Sequence, residues 1–275
     1  MKFLSIILSI TITIFIGFMA FNAYTFSLKY DNEMLQTAQN HKIENKIDNY
    51  FKAPVENTWK SINNYFLSYT QNTQEIKIKE TIVKKEPHYK QEMEFYTKLY
   101  FVGLGLLLLT YVISSKEVFI FSIISASIIS WVVGIFAPIM TIEVFKDLPI
   151  LGYTIFKYDS KGIWSTVENL WILENYFISI IIALFSMLIP VIKTIAMSIS
   201  MLKKSTIKYI EFIGKWSMAD VFVVALLLSN LSLNADEFTN AKVQIAIYFF
   251  SSYVILSILT SYIIKLHIER EVEGD

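Results

Sequence analysis

Long apolar runs separated by polar stretches are the first pattern along this chain. A helix needs about 20 apolar residues to cross a ~30 Å hydrocarbon core. Six stretches qualify: 3–28, 95–113, 118–140, 176–202, 216–233 and 243–264. They predict an all-α polytopic membrane protein with six transmembrane helices. The first is expected to be an N-terminal membrane anchor, 1–28, because its apolar run outlasts a signal peptide's h-region of roughly 7–15 residues. A polar segment, 29–94, then precedes a further span, 95–113.

The polar intervals carry their own periods. Within 29–94, Ile43, Ile47 and Tyr50 precede Pro54, and Trp59, Ile62, Phe66 and Tyr69 follow it, predicting two amphipathic helices joined near the proline. Both an ordinary self-packing pair and a docking surface for a periplasmic partner fit that pattern. The loop 141–175 reads differently. "TIEVFKDLP" and "LGYTIFKY" are β-branched and aromatic runs joined by a Pro/Gly turn, predicting a small β-hairpin. "WSTVENLW" opens a short helix after it, with Ser165 as the expected N-cap and Glu168 completing a capping box.

Lysine and arginine set the expected orientation. With the N-terminus inside, Lys2, Lys116, Lys203, Lys204, Lys208, Lys215, Lys265 and Arg270 are cytoplasmic, against Lys146, Lys157, Lys161 and Lys242 in the short outer loops. Both termini are therefore expected in the cytoplasm, with 29–94 and the hairpin outside. The net charge is zero, giving no ground for a nucleic-acid partner, and a hydrophobic share of 54% reinforces the membrane reading. Cysteine is absent and the three histidines are scattered, which excludes disulfides and any Cys/His metal cluster; no metal or other cofactor is expected.

Two ionisable side chains sit well inside the six spans, Lys193 and Asp220. A charge at the bilayer centre costs about 2.5–3.5 kcal/mol on insertion scales. Lys193 lies ~15 Å from the end of its span at Lys203, and its side chain tilts toward the midplane, which opposes snorkelling. Asp220 lies near the start of the fifth span, where a helix N-terminus alone favours a carboxylate. Pro190 removes the helical partner of the Ser186 carbonyl. Ser186, Pro190, Lys193 and Met197 share one face, a pattern suited to an internal polar cavity. On the last span Ser257, Thr260 and Ser261 share a face, although such hydroxyls can bond back to their own helix. The expectation is a buried polar network of Lys193, Ser217, Asp220 and a hydroxyl from the last span.

"GKWSMADVFVVALL" closely resembles the hallmark of the paraquat-inducible protein A (PqiA-like) family, at Lys215, Trp216, Ser217, Met218 and Asp220. "FAPIMTIE" resembles the family's Pro-x-Met segment at Pro138, "WSTVENL" its outer Ser-Thr motif at Ser165 and Thr166, and "SMLIPVIK" its Pro-x-x-Lys at Pro190 and Lys193. The resemblance implies one four-helix membrane module, 118–265, with the β-hairpin in its outer loop, followed by a cytoplasmic tail, 266–275. Relatives often carry a second module and a Cys-rich zinc ribbon, neither of which this sequence shows.

The resemblance also implies an inner-membrane component of an intermembrane phospholipid transport system, working with a periplasmic MCE-domain protein and with membrane lipids as cargo. A scaffold that assembles an envelope complex without transporting anything is the alternative. An enzyme is not expected: there is no Gly-x-Ser-x-Gly, no His-rich metal set and no second carboxylate beside Asp220. The absence of a Walker motif leaves a proton gradient or a partner as the energy source.

Overall fold

The computed structural model describes residues 2–40, 88–148, 152–202 and 239–273. In chain order these form α1 (Lys2–Asn40), α2 (His88–Leu109) with a 3-10 turn at Thr110–Val112, α3 (Lys116–Phe136), strands β1 (Pro138–Leu148) and β2 (Gly152–Gly162), and α4 (Ile163–Ile172). Then come α5 (Tyr176–Ala183), a π-helical turn (Leu184–Leu188), α6 (Ile189–Leu202), β3 (Thr239–Val243) and α7 (Ile245–Glu273).

Five of the expected spans are present among the described residues, as helices long and apolar enough to cross a membrane. They lie in α1, in α2 with its 3-10 turn, in α3, in α5–α6 taken together, and in α7. The sixth expected span, 216–233, lies outside the described residues, as does the expected helix pair around Pro54.

Several boundaries move for physical reasons. Helix α1 continues past Leu28 to Asn40, because nothing in "KYDNEMLQTAQN" breaks a helix. At 1.5 Å per residue it is ~58 Å long, about twice the hydrocarbon thickness, so its last turns stand clear of the core. Helix α3 stops at Phe136 rather than Met140: Pro138 forces Ala137 into extended backbone (φ −74°, ψ 157°), and the chain enters β1 directly. Helix α7 starts at Ile245, because Val243 ends a strand.

The expected hairpin is part of a three-stranded antiparallel sheet, ordered β2-β1-β3. Thr141 faces Ser160 on one side and Lys242 on the other. Bulges after Pro138 and at Val144/Phe145 adjust the β1–β2 register. Helix α3 ends at this sheet and α7 begins from it, so the two are antiparallel, while α5–α6 leaves α4 in the same direction as α7.

The core fills the space between α1, α2, α3 and α7. Tyr100, Phe119, Ile123, Phe249, Phe250 and Tyr253 are all buried there, with the Tyr100 and Phe249 ring centroids 4.3 Å apart. Two helical glycines permit close approaches between helices. A Cβ on Gly134 would stand 2.9 Å from the Phe250 backbone nitrogen, and one on Gly103 2.9 Å from Ile16 Cγ1. Small residues that bring helix backbones together are how membrane helices gain dispersion contacts in the absence of a hydrophobic drive. A smaller cluster of Ile120, Ile124, Met197 and Ile264 joins α3, α6 and α7 farther from the sheet.

Candidate functional site

Pro190 has two consequences for its helix. Its ring cannot sit over the Ser186 carbonyl, and the backbone widens there into the π turn Leu184–Leu188, in which Ile189 N–H bonds the Leu184 carbonyl. The Ser186 carbonyl is satisfied from another helix: Trp131 Nε1–H on α3 donates to it at 3.0 Å. The proline thus creates an acceptor, and the indole on the neighbouring span fills it. Sequence reasoning identified the freed carbonyl and missed its partner.

Below that link lies a polar layer. Ser186, Pro190, Lys193 and Met197 are all buried, with Lys193 only 2% exposed. Its level is fixed by its neighbours. One turn beyond it, Met197 Sδ lies 3.4 Å from Ser261 Oγ on α7, which brings Ser257 level with Lys193. The close approach of Gly134 to Phe250 and the packing of Ile120 with Ile264 set the antiparallel register of α3 on α7, and Ser127 falls at the same height. Counted from Ile245, Ser257 is ~18 Å along α7, near the middle of a ~30 Å core.

The hydroxyls of this layer divide into two groups. Thr260 Oγ1 and Ser261 Oγ bond back to their own helix, at the carbonyls of Leu256 (2.7 Å) and Ser257 (2.9 Å). Ser127, Ser186 and Ser257 are also buried, but their Oγ atoms have no hydrogen-bond partner among the described residues. Buried polar atoms are nearly always paired, so two such hydroxyls level with Lys193, and a third about two turns nearer the sheet, leave hydrogen-bonding capacity unused inside the bundle. Toward the sheet, Tyr100 and Ser130 are 2.6 Å apart. Because Ser130 Oγ donates to the Ala126 carbonyl, Tyr100 is the donor of that pair. Neither Ser127 nor Tyr100 stood out in the sequence, where each is one polar residue in an apolar run.

The expected partners on the fifth span, Ser217 and Asp220, lie outside the described residues, as do Lys215, Trp216 and Met218. The other motif residues meet at the sheet end of the bundle. Pro138 is buried and pairs with Gly162 across β1 and β2. Ser165 is not the N-cap: α4 starts two residues earlier, and Ser165 Oγ accepts from the Gly162 N–H at 2.8 Å. Thr166 Oγ1 donates to the Gly162 carbonyl at 2.7 Å. A Cβ at Gly162 would stand 2.7 Å from the Ala137 carbonyl oxygen, so this joint requires glycine. The Pro138 and Ser165–Thr166 motifs are therefore two halves of one corner, at which the chain leaves the membrane through α3 and returns through α4 and α5.

Two buried carboxylates brace the sheet. Glu143, 2% exposed, receives both its hydrogen bonds from Lys242 Nζ, at 2.9 and 3.1 Å. On the other edge, the Asp31 carboxylate of α1 accepts from the Tyr158 hydroxyl at 2.8 Å and from Ser160 Oγ. Burial, and then the adjacent Asp31 charge, push the Tyr158 phenol well above its ordinary range, so it remains a donor. The extension of α1 beyond the hydrocarbon is thereby tied to the module's own sheet.

Compared with known proteins, residues 120–268 match the family model for paraquat-inducible protein A. No curated protein and no solved structure gives a match. The match spans more than half of the chain and takes in α3, the sheet, α4 to α6 and most of α7. The chain is therefore a member of the paraquat-inducible protein A family, a polytopic membrane protein whose family module carries a buried lysine and a layer of hydroxyls between its helices.

Proposed function

We propose that the protein is the inner-membrane component of an intermembrane phospholipid transport system, with the sheet side of the bundle facing the periplasm. There it meets an MCE-domain protein that delivers or receives the lipid. The observation that carries this reading is Lys193, buried near mid-membrane with the unpartnered hydroxyls of Ser127 and Ser257 at its own level. An ammonium costs several kcal/mol at that depth on most estimates and marks a pathway more often than a packing contact. Lys193 serves as the cation that receives an anionic headgroup or exchanges a proton with Asp220, its counter-charge on the fifth span. No step requires a cofactor. The π turn and Pro190 supply a point at which the α5–α6 span can change its bend without breaking its backbone bonding.

Native mass spectrometry of the chain purified in mild detergent tests the proposal. It should show a bound phospholipid, and in envelope extracts a periplasmic protein partner as well. A partner without any retained lipid would favour the scaffold reading, in which the polar layer only fixes how the helices pair.

A further inference from the structure

Helix α4 carries a face that no other described residue covers. Trp164 and Trp171 are 50% and 54% exposed, and Ile172 and Leu173 beyond them 69% and 67%. Seven residues apart, the two tryptophans lie within ~20° of one another on the helix and ~10 Å apart along it. Thr166 and Asn169 lie on the far side of the helix, and the exposed Glu168, one turn from each tryptophan, stands at the edge of the apolar face.

The height of this face is fixed at both ends by spanning helices. The Trp164 ring lies 5.5 Å from that of Phe136, the last residue of α3. The Trp171 ring lies 5.0 Å from that of Tyr176, the first residue of α5. Between α4 and α5 the chain turns tightly through Glu174, at φ 61°. Ser179 Oγ of α5 donates to the Val167 carbonyl at 2.9 Å, holding α4 against the span. Helix α4 therefore bridges the sheet-side ends of two transmembrane helices. Its exposed apolar face continues directly into the lipid-facing side of α5, where Phe177 is 77% exposed.

We infer that α4 is an interfacial helix, lying in the plane of the bilayer on the sheet side with Trp164 and Trp171 at the boundary between headgroups and acyl chains. Tryptophan prefers that boundary because its ring is apolar while its N–H requires a polar partner. A short amphipathic helix there buries its apolar face about 5–10 Å into the headgroup–acyl boundary. The occupant of the face is thus membrane lipid. The consequence is a mechanical link: the Gly162 corner fastens this helix to β2, so a movement of the sheet moves an element seated among the headgroups of that leaflet. The inference rests only on the membrane-spanning architecture and stands whether or not lipid is transported.

The test uses the full chain in phosphatidylcholine vesicles, comparing wild type with Trp164→Phe/Trp171→Phe, so that the difference in emission isolates this pair. Phosphatidylcholine brominated near the headgroup should quench at least half of the difference signal, and aqueous iodide should quench little of it. Efficient iodide quenching would place the face in water. Protection from both quenchers would mean that protein covers it. Either result overturns the inference. An Ile172→Cys variant carrying a nitroxide gives a second reading that leaves the tryptophans intact. Collisions with oxygen should exceed those with a water-soluble nickel chelate, and the reverse would also overturn it.

Discussion

Replacing Trp131 with phenylalanine keeps an aromatic ring and removes one N–H, leaving the Ser186 carbonyl without its donor from α3. Ser186 is fully buried while Trp131 is half-buried, so little water reaches the carbonyl to substitute. A buried acceptor left unpaired costs about 1–3 kcal/mol. Interhelical hydrogen bonds measured within a membrane protein average about 0.6 kcal/mol and reach about 1.7. The carbonyl is made available by Pro190 and shielded on all sides, which places this bond in the upper part of the second range. The expected loss is about 1–2 kcal/mol, or roughly 2–8 °C in melting temperature for a chain of this size.

The same geometry predicts a rescue. In Pro190→Ala the helix regains an N–H four residues after Ser186, and the carbonyl no longer depends on α3. Trp131→Phe should then cost little, and the double-mutant cycle should show a coupling of about 1 kcal/mol. Melting of the four detergent-purified proteins, followed by size-exclusion chromatography after heating, reads this directly. Equal destabilisation by Trp131→Phe in both backgrounds would refute the claim that the indole compensates for the proline.

Three further outcomes are expected. Gly134→Ala places a Cβ against the Phe250 backbone at 2.9–3.0 Å; overpacking of about 1–3 kcal/mol outweighs up to ~1 kcal/mol gained in helix propensity, so the melting temperature should fall. Lys242→Met strands the buried Glu143 carboxylate and should destabilise the protein by about 1–3 kcal/mol, with Glu143→Gln in the same chain restoring part of the loss because no charge is then left buried. For topology, a cysteine at Lys161 should react with an impermeant thiol reagent in intact spheroplasts and one at Ser205 only after permeabilisation; the opposite pattern would invert the orientation proposed above.

Apolar run length alone made the five described spans legible, because satisfying every backbone group in lipid leaves few structures other than a helix. The hairpin was legible from its turn residues. Strand β3 was not: "TNAKV" has little intrinsic β character, and becomes a strand by pairing with the free side of β1. The buried face of α6 could be read from the spacing of Ser186, Pro190, Lys193 and Met197. Its complement could not. Trp131 is 55 residues away from the carbonyl it serves, and Ser127 is one of several serines in α3, distinguished only by the helix register that Gly134 permits. Side-chain spacing within one helix is local information, whereas the identity of the residue across the interface is set by packing.

Coupling between Lys193 and Asp220 is the core of the proposed function, and the phospholipid retained by purified chain tests it most directly. Wild type, Lys193→Met, Asp220→Asn and the double variant would be compared by native mass spectrometry at matched protein abundance. Each single variant should lose most of the bound lipid, and the double variant should be no worse than either, as expected for groups acting as a unit. Wild-type lipid retention in both single variants would contradict the account, as would single variants that disappear from the membrane while the double variant returns to normal abundance.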